Sequence, residues 1–258
     1  MNDFEGYTAI VTGAARGIGY EIARQLLERG CAVQIADVDR AGLMAAATRL
    51  GELADSGRVG ATVVDVTSEA SVEEMVGRTV ERFGGLQLLA HSAGIGLERP
   101  CLDTTLEEWE RVIRVDLTGT FLCNRAAARV MAAGRYGRIV NLASTAGLRG
   151  GTGRAAYGAA KGGVITLTRV LAVELATQGV TVNALAPGAI ETELVARMHS
   201  AQTRVVYKRA IPADRYGTAG ETATAAVFLL GEASRYITGH VLAVDGGFLA
   251  AGILHKDV

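Results

Sequence analysis

Cysteine and proline are scarce in this sequence, and each shortage excludes a class of protein. The 258 residues include three cysteines, Cys31, Cys101 and Cys123, which are odd in number and far apart. This pattern argues against a disulfide-stapled secreted scaffold and predicts free thiols in a reducing cytoplasm. The three prolines lie in predicted loops, and no linker or repeat interrupts the chain. A single domain over residues 1–258 is therefore predicted.

Charge of one sign and long apolar runs are missing as well. The formal net charge is −1, with 26 basic and 27 acidic residues scattered along the chain, so no nucleic-acid partner is expected. The most apolar helical stretch, 164–176, is interrupted by Arg169 and Glu174, so no membrane span is predicted. The N-terminal segment lacks the basic start and apolar stretch of a signal peptide. The cysteines and histidines have no metal-ligand spacing, and no metal site is predicted.

What the sequence does contain is an alternation of short β-branched runs with longer Ala-rich helical patterns. The predicted strands cover residues 8–13, 31–37, 58–66, 86–94, 137–144, 180–188 and 240–247. The predicted helices cover residues 17–29, 40–54, 69–83, 105–133, 155–178 and 219–230. Continuous apolar strands are typical of a sheet that is covered on both sides. The pattern predicts an α/β fold, with a mostly parallel sheet of about seven strands and helices on both faces.

A glycine-rich segment follows the first predicted strand, at the end of the sheet where such folds bind ligands. Gly13 permits a tight turn, while Gly17 and Gly19 allow a pyrophosphate to approach the backbone at the start of a helix. The spacing differs slightly from the common G-x-G-x-x-G pattern. Its position between a strand and a helix nevertheless predicts a dinucleotide site.

Two residues near this turn bear on the choice between NAD and NADP. Asp37 ends the second predicted strand, where a carboxylate accepts hydrogen bonds from the adenosine ribose and repels a 2′-phosphate. Arg16 favours the opposite choice, because a guanidinium pairs with that phosphate. Asp37 acts at the discriminating position, so NAD is the predicted cofactor. Asp65, after the third predicted strand, is either a ligand of the adenine amino group or a turn residue.

A tyrosine and a lysine form the candidate catalytic pair. Tyr157 and Lys161 are four residues apart, which places both side chains on one face of a predicted helix. A phenol keeps its proton near neutral pH, but an ammonium about 4 Å away stabilises the phenolate by roughly 4 kcal/mol at moderate dielectric. That stabilisation makes the phenol usable for general acid–base catalysis. Ser144, at the end of the fifth predicted strand, offers a hydroxyl to the substrate oxygen.

In these motifs and their order, the sequence resembles the short-chain dehydrogenase/reductase family over nearly its whole length. The matching elements are TGAARGIG (12–19), Asp37, Asp65-Val66, Ser92-Ala93-Gly94, Ser144, Tyr157-x-x-x-Lys161, VNALAPG (182–188) and DGG (245–247). Each element is common by itself, whereas the ordered set is specific. The resemblance implies a doubly wound, Rossmann-like fold that binds a nicotinamide dinucleotide. It also implies a homotetramer or homodimer, built through the helices predicted over 105–133 and 155–178.

The residues and the resemblance together define the expected site. The expected cofactor ligands are Gly13, Arg16, Gly17, Ile18, Gly19, Asp37, Asp65, Val66, Ala93, Gly94, Lys161, Pro187, Gly188, Ile190 and Thr192. The expected catalytic residues are Ser144, Tyr157, Lys161 and Asp116. By resemblance, Ser144 positions the carbonyl, Tyr157 exchanges the proton, and Lys161 binds ribose and activates the phenol. The segment from Pro187 to Thr192 holds the carboxamide end of the cofactor.

Two positions depart from the family pattern. His91 stands where the family usually has an asparagine, and is interpreted as a packed, hydrogen-bonded histidine. Asp116 replaces the family's catalytic asparagine, which holds a water in a proton relay from the lysine. Aspartate accepts a hydrogen bond but does not donate one, and its charge would pair with Lys161. We expect an active enzyme with an altered pH profile; stabilisation of a helix bend by Asp116 is an equally supported alternative.

The motifs predict an NAD-dependent oxidoreductase that interconverts a secondary alcohol and its ketone. A sugar alcohol or another small polar alcohol is the first expectation for the substrate. A less regular segment, 189–217, is expected to form a lid, with residues 145–154 completing the pocket. One alternative is an NADPH-dependent 3-oxoacyl thioester reductase, which Arg16 supports. Another is a dinucleotide-binding regulatory protein in which Asp116 has abolished turnover.

Overall fold

Parallel β-strands form the centre of the structure, a computed structural model that describes residues 3–53, 56–254 and 256. The strands are β1 (Thr8–Thr12), β2 (Ala32–Asp37), β3 (Val59–Val63), β4 (Leu88–His91), β5 (Gly137–Leu142), β6 (Val180–Pro187), β7 (Ile190–Glu191), β8 (Gly217–Thr218) and β9 (Val241–Val244). Seven of them form one sheet in the order β3-β2-β1-β4-β5-β6-β9, and β7 pairs with β8 separately. Every neighbouring pair in the large sheet is parallel.

The order of the strands reverses between β1 and β4. The chain first builds outward from β1 to β3, then returns to place β4 beside β1 and continues in the other direction. Connections that leave β1 and β4 therefore diverge to opposite faces of the sheet. They leave a crevice at the carboxyl ends of these strands, which is the usual ligand position in such folds.

Helices cover both faces of the sheet and bury two apolar layers. The helices are α1 (Gly17–Glu28), α2 (Arg40–Gly51), α3 (Glu69–Phe83), α4 (Leu106–Val112), α5 (Gly119–Ala133), α6 (Ala155–Leu175), α7 (Glu193–Met198), α8 (Ala201–Ala210) and α9 (Ala219–Leu230). Ala9 and Val11 pack into the layer that includes α1, α2 and α9, whereas Ile10 packs into the layer that includes α3 and α5. This alternation follows from the two-residue period of a strand. No helix within the described ranges is long and apolar enough to cross a membrane.

The predicted α/β architecture, with seven strands and helices on both faces, is confirmed. The strands predicted to reach residues 66 and 94 end earlier, at Val63 and His91. The long helix predicted over 105–133 is continuous, but residues Ile113–Thr118 form a π-helical turn between α4 and α5. The predicted end of the second helix, residue 54, lies outside the described residues.

The segment 189–217 is more regular than predicted, because it contains both α7 and α8. Thr192 caps α7 by accepting a hydrogen bond from the Val195 N–H, and Ser200 caps α8 in the same way with Thr203. Hydroxyl caps of this kind satisfy backbone donors that a short helix leaves unpaired. The expectation of irregular structure was wrong because the two helices are short, and their apolar residues show no sustained period.

Candidate functional site

The glycine-rich turn after β1 packs directly against the segment that follows β4. Gly13 and Gly17 have φ angles of 64° and 59°, in the left-handed region that favours glycine. A Cβ atom on Gly13 would lie 2.8 Å from the backbone of Ala93. A Cβ atom on Gly19 would lie 2.3 Å from the carbonyl oxygen of Gly13. Neither position has room for a side chain, so the backbone itself forms the surface at this point.

The helix that follows the turn begins without a side-chain cap. Arg16 is the N-cap residue of α1 and makes no cap hydrogen bond, whereas Asp39 caps α2 and Ser68 caps α3. The first N–H groups of α1 carry the positive end of the helix dipole. Gly17 and Ile18 line an open cleft here. An uncapped helix N-terminus that faces a cleft is suited to bind a phosphate group.

Thr12 connects the glycine turn to the end of β4. Its hydroxyl oxygen accepts hydrogen bonds from the N–H groups of Ser92 and Ala93, both at 3.2 Å, and lies 2.9 Å from Nδ1 of His91. Thr12 and Nδ1 of His91 therefore share one hydrogen bond at the end of β4. Burial, aided by the charge of Lys161, lowers the pKa of His91 to about 3 and keeps the ring neutral. Thr12 belongs to the motif TGAARGIG, but this role does not follow from the motif, because the partners are distant in the sequence.

Two acidic residues and an arginine shape the other end of the cleft. The Asp37 carboxylate accepts hydrogen bonds from the N–H groups of Ala15 and Asp39, at 3.1 and 3.0 Å, which hold it at the end of β2. Arg16 forms an ion pair with Asp39 and lies 3.4 Å from the Glu193 carboxylate. Two carboxylates therefore compensate the charge of the Arg16 guanidinium. From the sequence alone, that charge was expected to be available to a 2′-phosphate.

Most of the predicted cofactor ligands line two adjoining cavities. A cleft of about 680 Å³ is lined by Gly13, Arg16, Gly17, Ile18, Asp37, Asp65, Val66, Ala93, Gly94 and Thr192. A cavity of about 140 Å³ is lined by Ile18, Gly94, Lys161, Pro187, Gly188, Ile190 and Thr192. Gly19 lines neither and lies beneath the turn. Asp65 also accepts hydrogen bonds from the Thr67 N–H and hydroxyl, at 2.9 and 2.8 Å, so it serves the turn as well as the cleft. The glycine-rich turn and the uncapped N-terminus of α1 fit the phosphates of a dinucleotide. The Asp37 carboxylate at the end of β2 fits its ribose.

The four predicted catalytic residues meet in the smaller cavity. Ser144 follows β5, Tyr157 and Lys161 lie in the first two turns of α6, and Asp116 lies in the π-helical turn. The Lys161 Nζ atom lies 5.6 Å from the centre of the Tyr157 ring and donates a hydrogen bond to the Leu142 carbonyl at 2.9 Å. The i, i+4 spacing therefore brings the cation and the phenol together at the end of β5.

Two glycines that the motif analysis did not single out seat the Ser144 loop on α6. A Cβ atom on Gly147 would lie 2.7 Å from the carbonyl carbon of Lys161. One on Gly158 would lie 3.0 Å from the carbonyl oxygen of Ala146. Ser144 also accepts a hydrogen bond from the Ala146 N–H at 3.2 Å. The loop and the helix thus approach closely enough for one cavity to contain both the serine hydroxyl and the phenol.

Asp116 pairs directly with Lys161 at the base of the cavity. Its carboxylate lies 3.3 Å from the Lys161 Nζ atom, with the two side chains 0% and 6% exposed. The other carboxylate oxygen accepts a hydrogen bond from the Ile95 N–H at 2.8 Å, which anchors the chain beyond Gly94. The π-helical turn places this carboxylate toward the sheet. Asp116 therefore forms an ion pair with Lys161 and also belongs to the π-helical turn.

The electrostatics of this pair depend on burial and on mutual attraction. Burial alone would lower the pKa of Lys161, but the charge of Asp116 and the Tyr157 phenol raise it above its ordinary value. Burial raises the pKa of Asp116, against the opposing effects of Lys161 and the Ile95 N–H. Lys161 therefore stays an ammonium next to the phenol. An ammonium beside a phenol, with a serine hydroxyl in the same cavity, is suited to proton transfer at an oxygen atom.

A further pocket of about 120 Å³ opens beside Ser144 and Tyr157. Part of its wall comes from the segment 189–217, which is named the lid segment after the expectation from the sequence. The lining side chains from this segment and from the chain's end are Leu194, Val195, Met198, His199, Tyr207 and Phe248. His199 is stacked on Tyr207, with ring centres 4.7 Å apart, and its Nδ1 atom lies 2.9 Å from the Tyr216 hydroxyl. Burial, followed by the charge of Arg154, lowers the pKa of His199. The segment 189–217 therefore packs as a defined aromatic wall.

Comparison with known proteins places this geometry in a family. Residues 13–249 match the family described as Enoyl-(Acyl carrier protein) reductase. The 3-oxoacyl-(acyl-carrier-protein) reductase FabG of Vibrio cholerae is 39% identical over 245 residues, 95% of this chain and 98% of that protein. The cis-4-hydroxycyclohexanecarboxylate dehydrogenase of Sinomonas cyclohexanicum is 42% identical over 250 residues, 96% of this chain and 98% of that protein. The crystal structure of levodione reductase has a TM-score of 0.93 at 35% identity, covering 96% of this chain and 100% of that chain.

These similarities extend over nearly the whole chain, and the three relatives are named as reductases or dehydrogenases. They include a 3-oxoacyl-(acyl-carrier-protein) reductase and a hydroxycyclohexanecarboxylate dehydrogenase, so they indicate an oxidoreductase and do not identify its substrate. The chain belongs to the short-chain dehydrogenase/reductase family of oxidoreductases.

Proposed function

We propose that this protein is an NAD-dependent dehydrogenase that interconverts a secondary alcohol and its ketone. One observation carries the proposal: Ser144, Tyr157 and Lys161 line a single cavity that adjoins the dinucleotide cleft. When bound, the nicotinamide supplies a hydride acceptor or donor. The glycine turn, the N-terminus of α1 and the segment from Pro187 to Thr192 would hold it.

The chain's own residues carry out the proton chemistry in this proposal. In the direction of oxidation, Ser144 holds the substrate oxygen and the Tyr157 phenolate takes the hydroxyl proton. Lys161, whose Nζ atom lies 5.6 Å from the centre of the Tyr157 ring, stabilises the phenolate by its charge. Asp116 holds Lys161 in place by an ion pair, and its negative charge partly offsets the positive charge of Lys161 at the phenol. In the direction of reduction, the phenol of Tyr157 returns the proton to the oxygen that Ser144 positions.

The choice of NAD rests on the charges around the adenosine end of the cleft. Asp37 presents a fixed carboxylate there, which favours ribose hydroxyls and disfavours a 2′-phosphate. The ion pair with Asp39 and the contact with Glu193 reduce the attraction that Arg16 would offer to that phosphate. Both observations support NAD.

The thioester reductase is the second candidate, and the similarity to FabG of Vibrio cholerae favours it. That activity would use NADPH in the same cavity, with Arg16 turned from Asp39 to the 2′-phosphate.

The apolar wall of Leu194, Val195 and Met198 suits an acyl chain or a carbocycle better than a sugar alcohol. The similarity to the dehydrogenase of Sinomonas cyclohexanicum, whose name specifies a hydroxycyclohexanecarboxylate, supports a cyclic alcohol.

A panel of substrates tests these candidates. Cyclic and linear secondary alcohols, sugar alcohols and a 3-oxoacyl thioester are each assayed with NAD(H) and with NADP(H). Oxidation of a secondary alcohol with NAD supports the proposal, and thioester reduction confined to NADPH supports the alternative. Cofactor binding measured by calorimetry, with no turnover of any substrate, would instead identify the regulatory protein.

Replacing Asp116 by asparagine is expected to move the high-pH limb of the oxidation profile to lower pH. The negative charge of Asp116 raises the pKa of Lys161. Its removal therefore lowers the pH at which the lysine loses its proton, and the limb at high pH moves to lower pH. The measurement is kcat/KM against pH, with Asp103→Asn on the exposed surface as the control. An unmoved profile would show that Asp116 carries no charge during turnover.

We further propose a homo-oligomer in the cytoplasm. Exposed apolar side chains on α4, α5 and α6 support the association; they are Leu106, Trp109, Phe121, Val170 and Val173. Apolar groups in this number on neighbouring helices are typical of a protein interface. The free thiols of Cys31, Cys101 and Cys123 support a reducing compartment. Light scattering on the purified protein measures the oligomeric state.

A further inference from the structure

The pocket beside Tyr157 contains two arginines and no acidic side chain among its described lining residues. The charged or titratable residues that line it are Arg149, Arg154, Tyr157, His199 and Tyr207. His199 is largely neutral near pH 7, because burial and Arg154 lower its pKa. The net charge at this pocket therefore depends on the two guanidinium groups.

Arg154 is already compensated by the protein. Its guanidinium lies 2.9 Å from the Glu98 carboxylate and donates a hydrogen bond to the Leu97 carbonyl at 3.3 Å. It also lies 3.4 Å from Nε2 of His199, and its side chain is only 12% exposed. Arg154 thus connects the start of α6 to the loop after β4, through Glu98 and Leu97, and to the lid segment, through His199.

Arg149 is different, because its guanidinium has no ion pair or hydrogen bond within the part of the chain that is described. The Arg149 guanidinium lies over the Phe248 ring, whose centre is 5.4 Å from the Arg149 Cζ atom. A ring under a guanidinium orients the cation without neutralising it. An exposed, oriented and uncompensated cation at a pocket is an anion-binding group.

The backbone of Arg149 has a defined position relative to the catalytic serine. The N–H groups of Leu148 and Arg149 both donate to the Thr145 carbonyl, at 3.0 and 2.9 Å. The same turn includes the hydrogen bond from the Ala146 N–H to Ser144, and Gly147 seats it on α6. The segment from Ser144 to Arg149 is therefore one compact turn, with the hydroxyl that binds the reacting oxygen at one end and a cation at the other.

We propose that Arg149 binds a carboxylate of the substrate, so that the enzyme acts on an alicyclic or alkyl hydroxy acid and its oxo acid. This inference rests on the proposed dehydrogenase function and names its substrate class. The carbinol lies between Ser144 and Tyr157, the apolar body of the substrate packs on the wall from the lid segment, and the carboxylate reaches Arg149. A carboxylate is favoured over a larger anion because the pocket is small, about 120 Å³.

Binding of matched ligands to the NADH-loaded enzyme tests the assignment without requiring turnover. The ligands are cyclohexanecarboxylate and the neutral cyclohexanecarboxamide, and calorimetry measures the dissociation constant of each. Arg149→Gln is expected to weaken binding of the carboxylate about 10- to 100-fold, as loss of a charge-assisted hydrogen bond does, and to change the carboxamide by less than threefold. Arg149→Lys is expected to retain part of the carboxylate affinity.

The control is Arg235→Gln, which makes the same change of charge at an exposed position before β9, where the side chain does not line the pocket. It is expected to leave both dissociation constants unchanged. Equal affinity for the two ligands, no binding of the carboxylate, or no loss in Arg149→Gln would overturn the proposal. So would an Arg149-dependent affinity confined to a thioester that carries a phosphopantetheine phosphate. Failure of the dehydrogenase function is distinguishable, because it appears as absent NAD-dependent turnover while the carboxylate binding persists.

Discussion

Replacement of Tyr157 by phenylalanine is expected to lower kcat by about three orders of magnitude, within the range attributed to general acid–base groups. The variant keeps the ring that lies over Lys161 and loses only the hydroxyl. Without it, the chain presents Ser144 to the substrate oxygen, but no group exchanges a proton with that oxygen. Lys161 does not substitute, because its Nζ atom is bound to the Leu142 carbonyl and paired with Asp116.

Stopped-flow or steady-state turnover and calorimetric titration with NADH measure the two parts of this expectation. The affinity for the cofactor is expected to stay within about threefold, since the cleft lining that holds the adenosine end does not include Tyr157. Tyr236→Phe is a matched control, because that hydroxyl is on a fully exposed side chain. More than a tenth of the original kcat in Tyr157→Phe would show that another group transfers the proton.

The second large effect is expected at Asp37. Asparagine there keeps the size of the side chain and removes its charge, so the ratio of kcat/KM for NAD over NADP is expected to fall about 100-fold. Repulsion between a carboxylate and a phosphate at close range is worth a few kcal/mol at moderate dielectric, and each 1.4 kcal/mol corresponds to a factor of ten. A further variant, Asp39→Asn, releases Arg16 from its ion pair and is expected to add to the gain for NADP.

Competition between the two cofactors in one assay measures this ratio directly. Asp103→Asn removes a carboxylate from an exposed position outside both cofactor cavities and serves as the control. A wild-type enzyme that prefers NADP would contradict the assignment of NAD. An unchanged ratio in Asp37→Asn would show that the carboxylate serves only the turn, through its bonds to Ala15 and Asp39.

Much of the fold and of the site follows from local patterns that the sequence displays. The apolar strands and the amphipathic helices specify a covered parallel sheet, because strands that are apolar on both sides need helices on both faces to bury them. Gly13 and Gly17 specify a turn that needs left-handed backbone angles. The spacing of Tyr157 and Lys161 places them on one helix face by geometry alone. Each of these inferences uses residues within about one turn of one another.

Other features depend on which segments meet in space. Thr12 touches the segment after β4, Arg16 is neutralised by Asp39 and Glu193, and Gly147 seats its loop on α6. Each of these residues is visible in the sequence, but the residue that folding places beside it is not. The helices of 189–217 were also not predictable from the sequence. Each has too few residues to display the apolar periodicity from which a helix is predicted.

The sequence by itself determined the class of chemistry: a parallel sheet, a phosphate-binding turn and a phenol beside an ammonium, all encoded by residues that are close in the chain. Only the tertiary structure decided how charge is balanced in the site. It pairs Asp116 with Lys161 and Arg154 with Glu98, and it leaves Arg149 uncompensated at the pocket. The reason is physical: backbone preferences act over a few residues, whereas the field at a buried group is set by every charge that folding brings near it.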